Sequence, residues 1–343
     1  MKAPGEPRPG QVLVLIAPRV LHAARPTGRI SLVSLDRRSG EHNTESHVYS
    51  IALPQPEASG RPETAQAIFG RQLNALRERA GISLEAAGAH LVCDKSKISR
   101  IEGGKVTVKD DDLHLLLDLY GEDDREERLA LLGFNARLNE PKWWRKRGHL
   151  LPEWYCSYLV FESAATLIRT YERHFVPGLL QTKAYAEAVI RCRYTDETQI
   201  RRLVDIRMHR QKAVLKKRTA GNQTRILWAM IDKAALDDVF GDPGIMREQI
   251  AFLSRALETL NVQIQVVERG ALAARSNSFS ILRLRGQLLS EVVYLEQIDS
   301  AQFFDHPAGS ESYRQAFCEI ANVAREPSGT QAFLAEAADK LRD

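Results

Sequence analysis

Residues Ile82–Glu102 read ISLEAAGAHLVCDKSKISRIE, and their spacing resolves into two helices joined by a turn. Ser83 stands where a side chain can cap the first helix, which then carries Ala86, Ala87, Gly88 and Leu91. Val92-Cys93 makes a short break, and Asp94 can cap a second helix over Lys95–Glu102. In that second helix Ile98 and Ile101 are the only bulky apolar residues. Their three-residue spacing puts one narrow stripe on a core and leaves Lys95, Ser96, Lys97, Ser99 and Arg100 on the open face. Ala87 and Gly88 are small enough to let two helices cross closely at a steep angle. A short helix with cations and hydroxyls along one side suits the major groove of DNA, where such groups reach both phosphates and base edges.

The flanks extend this pair into a helical domain. From Thr64, Phe69, Leu73, Leu76 and Ala80 recur at helical spacing and Gly81 ends the run, with Arg71, Arg77 and Arg79 off the stripe. After Gly103-Gly104-Lys105 comes the acidic triplet Asp110-Asp111-Asp112, ahead of Leu113, Leu116, Leu117 and Tyr120 on one face. That position favours capping and macrodipole stabilisation of a helix over a metal site. Gly121 closes this helix, and 123–132 predicts a fifth, acidic at its start and apolar at its end. Five helices in this order predict a DNA-binding domain over 64–136.

The run from Ile82 to Gly104 resembles the helix-turn-helix of phage-repressor-like (Xre-type) regulators. The matching residues are Ile82-Ser83, Glu85, Leu91, Ser96, Ile98-Ser99-Arg100-Ile101-Glu102 and Gly104. Leu84 stands where a phosphate-contacting Gln is common, and Val92 where the turn usually has Gly. The resemblance implies that Arg77 pairs with Glu102, locking the first helix to the end of the recognition helix. Further on, KWW (142–144), LLPEW (150–154), YLVFE (158–162), ATLIRTYE (165–172) and VPGLLQT (176–182) are similar to the segment that follows the helix-turn-helix in a large actinomycete regulator family. RMHRQ (207–211), NVQIQVV (261–267), SFSIL (278–282) and VVYLE (292–296) continue that likeness, so it covers 65–341. Lys233 falls where an acidic residue is common, and Glu268-Arg269 where Pro-Phe is. That family's C-terminal domain has no assigned biochemical activity, and the likeness implies a small partner protein encoded nearby.

Physically, the second half reads as mixed α/β. Runs 224–230, 261–267, 278–284 and 291–295 are β-branched or alternating, and 243–260 between the first two is amphipathic. Strand–helix–strand order predicts a small sheet covered by helices, completed by helices over 310–324 and 330–342. The fold class is therefore mainly α: a five-helix repressor-like domain at 64–136, a junction at 137–160 and a mixed α/β domain at 161–343. Trp143, Trp144, Trp154 and Tyr155 at the junction form either a domain-seating plug or an aromatic ligand platform. Residues 201–218 read as a long basic helix with Leu203, Ile206 and Val214 inward. Its outer side is either a solvated face or a second surface for DNA backbone or an acidic partner. Residues 1–63, rich in Pro between short β-prone runs, read as a disordered leader, with a small stranded appendage as the alternative.

The chain has 343 residues, 44% hydrophobic, with a formal net charge of +4, so overall charge alone does not demand a nucleic-acid partner. Cys93, Cys156, Cys192 and Cys318 show no metal-ligand or disulfide spacing. The longest apolar run, 12–17, is too short to span a membrane, and a cytoplasmic location is expected. No nucleophile elbow, phosphate loop, dinucleotide fingerprint or zinc-protease motif occurs, so no catalysis, cofactor or metal is called for. The sequence thus predicts a transcriptional regulator that binds double-stranded DNA as a homodimer. Lys95, Ser96 and Arg100 would touch bases, while Lys97, Ser99, Arg77 and Lys105 would position the helix on phosphates or neighbouring structure. The alternative is an antitoxin-like protein whose main role is to hold a small partner.

Overall fold

Thr64 accepts the Ala67 N–H at 3.1 Å, which caps α1 (Ala65–Arg79). The computed structural model describes residues 64–141, 143–144, 151–215, 225–259, 261–268 and 277–341. The proposed leader at 1–63, residues 142 and 145–150 of the junction, and residues 216–218 of the basic run lie outside them. Ile68, Phe69, Leu73 and Leu76 of α1 are buried. Ala80, expected on the same stripe, is exposed, because α1 stops at Arg79 and Gly81 turns the chain away in a left-handed conformation.

α2 (Leu84–His90), α3 (Lys95–Glu102), α4 (Asp110–Leu119) and α5 (Arg125–Asn139) follow. Asp110, Asp111 and Asp112 occupy the first turn of α4, where the helix dipole favours them, while Lys109 takes the cap position without a side-chain bond. α5 runs to Asn139, well beyond the expected end near 132. Nothing between Asp124, whose carboxylate caps it, and Pro141 forces a stop, and the extra turns bury Phe134, Asn135 and Leu138.

α6 (Glu153–Ala164) buries Trp154, Tyr158, Leu159, Val160 and Phe161. It leads into β1 (Leu167–Glu172), then a short 3-10 turn at Gly178–Leu180, α7 (Lys183–Arg191) and α8 (Glu197–Leu215). β2 (Ile226–Asp232), the single-turn α9 (Ala234–Asp237), α10 (Pro243–Leu257) and β3 (Val262–Val267) come next. β4 (Phe279–Arg283), β5 (Glu291–Glu296), β6 (Ala301–Phe304), α11 (Pro307–Val323) and α12 (Pro327–Lys340) complete the chain.

The strands form one mixed sheet in the order β3-β2-β1-β4-β5-β6. β1, β2 and β3 run parallel, which their helical crossovers require, whereas β4, β5 and β6 join antiparallel. Tyr171 sits in register with Met230 on one side and Phe279 on the other, and all three pack with Phe317 and Ile320 of α11. The opposite face carries Ile168, Leu227, Ile264 and Leu282 into a larger core. That core is continuous with α1 and α5. Phe69, Phe134, Phe161 and Phe303 form a chain of ring contacts from α1 through α5 and α6 to β6, at centroid spacings of 5.7, 5.4 and 5.6 Å. Arg71 of α1 adds an ion pair to Asp305 at 3.0 Å. The mixed α/β expectation holds, and it missed two strands, β1 at the centre of the sheet and β6 at its edge.

Candidate nucleic-acid interface

Two carboxylate or hydroxyl caps set the helix pair at its start. Ser83 accepts the Ala86 N–H at 3.0 Å, and Asp94 accepts the N–H groups of Ser96 and Lys97 at 2.8 and 3.3 Å. Ile98 and Ile101 are buried, so the rotation of α3 about its axis is fixed. Gly88 allows the close crossing: a Cβ there would lie 2.8 Å from the Cys93 carbonyl oxygen. Among the described residues, Val92 is the non-glycine residue with positive φ, at +52°, and its side chain is 94% exposed. The turn therefore keeps the left-handed geometry that glycine usually supplies, with a β-branched residue in its place.

The lock implied by the resemblance is present and bidentate. Arg77 donates from Nε to Glu102 Oε1 at 2.7 Å and from Nη2 to Oε2 at 3.0 Å. It also reaches the Ile82 carbonyl at 2.8 Å and Asn74 Oδ1 at 2.6 Å. Its hydrogen bond to Glu102 raises the guanidinium above its ordinary pKa against the opposing effect of burial. α1 is thus tied to both the approach to α2 and the end of α3.

The remaining sequence-predicted residues separate by exposure. Lys95, Ser96, Ser99, Arg100 and Lys105 are exposed. Lys95 pairs with Glu85 of α2 at 2.7 Å, both side chains 63% exposed, and that bond raises the ammonium pKa. Such a solvent-screened pair holds the ammonium only weakly and leaves it open to another anion. Ser96 hydrogen-bonds the Asp94 carboxylate through its hydroxyl, holding Asp94 below the usual carboxylate range. Its oxygen retains lone pairs for an acceptor role. The Arg100 Nε–H donates to the Ser96 carbonyl at 3.3 Å. Lys97 is drawn inward: its ammonium lies 2.8 Å from Asp112 of α4, and this bond raises its pKa. Two of the cations, Arg77 and Lys97, therefore hold α3 in place from behind, while Lys95, Arg100 and Lys105 stand at the surface.

The basic run on α8 is not a uniformly solvated face. Arg210 is buried, bidentate with Glu162 at 3.0 and 2.7 Å, and lies 5.3 and 5.4 Å from the rings of Tyr155 and Tyr158. Arg207 reaches Gln181 Oε1 at 2.5 Å. The sequence carried a signal for Arg210, since it lies four residues from both Ile206 and Val214 on the inward stripe. At the junction, Trp144 is buried and Trp143 lies against the His209 ring at 3.9 Å. Among the described residues no cluster of His, Cys, Asp and Glu could hold a metal ion, and no helix is long and apolar enough to cross a membrane.

A capped helix pair with a solvent-facing cationic second helix defines a helix-turn-helix DNA-binding unit. Residues 68–131 match the model of a helix-turn-helix domain. Residues 155–336, more than half of the chain, match the model described as a domain of unknown function (DUF5753), and the chain belongs to that family. No curated protein and no solved structure matches it.

Proposed function

We propose that this protein is a sequence-specific transcriptional regulator that reads DNA with α3 and receives an effector or partner through its DUF5753 domain. The observation that carries this reading is the split of α3 into a buried Ile98–Ile101 edge and an open edge bearing Lys95, Ser96, Ser99 and Arg100. Lys95, Ser96 and Arg100 contact base edges. Ser99 and Lys105 contact phosphates, while Arg77 and Lys97 orient the helix through Glu102 and Asp112. One eight-residue helix reads too few bases for adequate specificity. A dimer on two half-sites about 34 Å apart supplies the rest. The mechanism is binding without catalysis.

The test is a titration of the full chain on a duplex enriched from a random pool. Lys95→Ala with Arg100→Ala should lose affinity by about 1–3 kcal/mol for each base contact removed. Both side chains are exposed, so the thermal midpoint should stay near that of the wild type. Wild-type affinity in the double variant would remove α3 from the interface.

A further inference from the structure

Asp94 caps α3 with one carboxylate oxygen. Its Oδ1 accepts the Ser96 N–H at 2.8 Å, the Lys97 N–H at 3.3 Å and the Ser96 hydroxyl. Among the described residues its Oδ2 takes no hydrogen bond and no ion pair, and the residue is exposed. Capping therefore leaves half of the carboxylate's acceptor capacity open to solvent.

The bond from the Ser96 hydroxyl, above all, holds this carboxyl below its usual range, so it is ionised at neutral pH. An ionised carboxylate has no proton to give. Ser96 Oγ is therefore the donor in that bond and offers only lone pairs to anything else. Two acceptors, Asp94 Oδ2 and Ser96 Oγ, thus stand at the start of α3, while the Lys95 ammonium is turned to Glu85 of α2. Arg100, a donor, lies one turn beyond Ser96, and its charge also favours the ionised form of Asp94.

The first residues of a recognition helix are the ones that meet base edges in the major groove. There guanine shows O6 and N7, thymine shows O4, and adenine sets N7 beside its amino group, so each turns an acceptor toward a carboxylate. Cytosine presents its N4 amino group with no acceptor beside it. We propose that Asp94 is a specificity-determining residue whose Oδ2 accepts the N4–H of one cytosine in each half-site. The assignment rests on α3 being the helix that reads DNA. It gives that helix a selector opposite in sign to Arg100: a guanidinium suits guanine, and the carboxylate rejects it.

Selection of duplexes from a random pool by the full chain tests this, with wild type, Asp94→Asn and Asp94→Ser compared. Asn and Ser cap a helix about as well as Asp, so the thermal midpoint should stay near that of the wild type. Wild type should require cytosine at one position of each half-site, with the other bases there bound about tenfold more weakly. Asp94→Asn puts an amide N–H where Oδ2 stood, and the preference should move from cytosine to a base that shows an acceptor. Asp94→Ser removes the second oxygen and should lose the preference without acquiring another. A wild-type consensus that both variants reproduce at every position would overturn the role of Asp94 and leave α3 as the reader. A wild type that selects no sequence would overturn the reading of α3 and this assignment with it.

Discussion

Replacing Val92 with glycine should stabilise the protein, and the size of the gain follows from the geometry of the turn. Val92 holds φ at +52° between α2 and α3. A left-handed conformation costs an L-residue roughly 1–2 kcal/mol, and a β-branched side chain is among the least tolerant of it. The side chain is 94% exposed, so its removal forfeits almost no burial. Glycine gives back about 0.4–1 kcal/mol through the greater entropy of the unfolded chain. The balance favours Val92→Gly by about 1 kcal/mol. Val92→Ala keeps the Cβ and therefore most of the strain, and it should gain clearly less. Guanidinium chloride unfolding measures both, as a shift in midpoint at unchanged slope. If Val92→Gly is no more stable than Val92→Ala, the turn stores no left-handed strain and the argument fails.

Two other perturbations have definite signs. Glu102→Gln should lower stability by about 3–5 kcal/mol, because it leaves the Arg77 cation buried without its charge partner; the side chains of Arg77 and Glu102 are only 9% and 8% exposed. Thermal or denaturant unfolding reads this directly, and a loss below about 1 kcal/mol would mean the pair is solvated. Burial above all raises the Glu172 carboxyl from 4.5 to about 7. Its folded pKa exceeds its unfolded one, so the stability it contributes is complete below pH 4.5 and is lost as pH rises through about 7. Glu172→Gln should therefore gain on the wild type as pH increases across that window, by at most about 3 kcal/mol and by less to the extent that the residue keeps solvent contact. A difference between variant and wild type that stays constant with pH would contradict the shift.

The parts of this molecule that the sequence revealed are those set by neighbours in the chain. Ser83 and Asp94 cap because each lies two or three residues from the N–H groups it satisfies, and Ile98 and Ile101 mark the buried edge of α3 by spacing alone. The Arg77–Glu102 lock spans 25 residues, and only the family pattern made it visible. β1 escaped notice because its strand carries Arg169, Thr170 and Glu172 among its apolar residues. These are accommodated by distant partners: Arg169 pairs with Glu291, and the Ser280 hydroxyl donates to Thr170 Oγ1 at 3.1 Å. The inward position of Arg210 had a local signal, but its partner Glu162 lies 48 residues away and had none. The pairing of Lys97 with Asp112 likewise depends on which elements meet in space.

The most direct measurement is the base preference of the full chain at every position of a randomised duplex, for wild type and for Arg100→Ala. Wild type should give two related half-sites about one helical turn apart. Arg100→Ala should relax the preference at one symmetric pair of positions, leaving the rest of the site and the non-specific, salt-dependent binding in place. An unaltered preference at every position would show that Arg100 does not read DNA and that α3 is not the recognition helix.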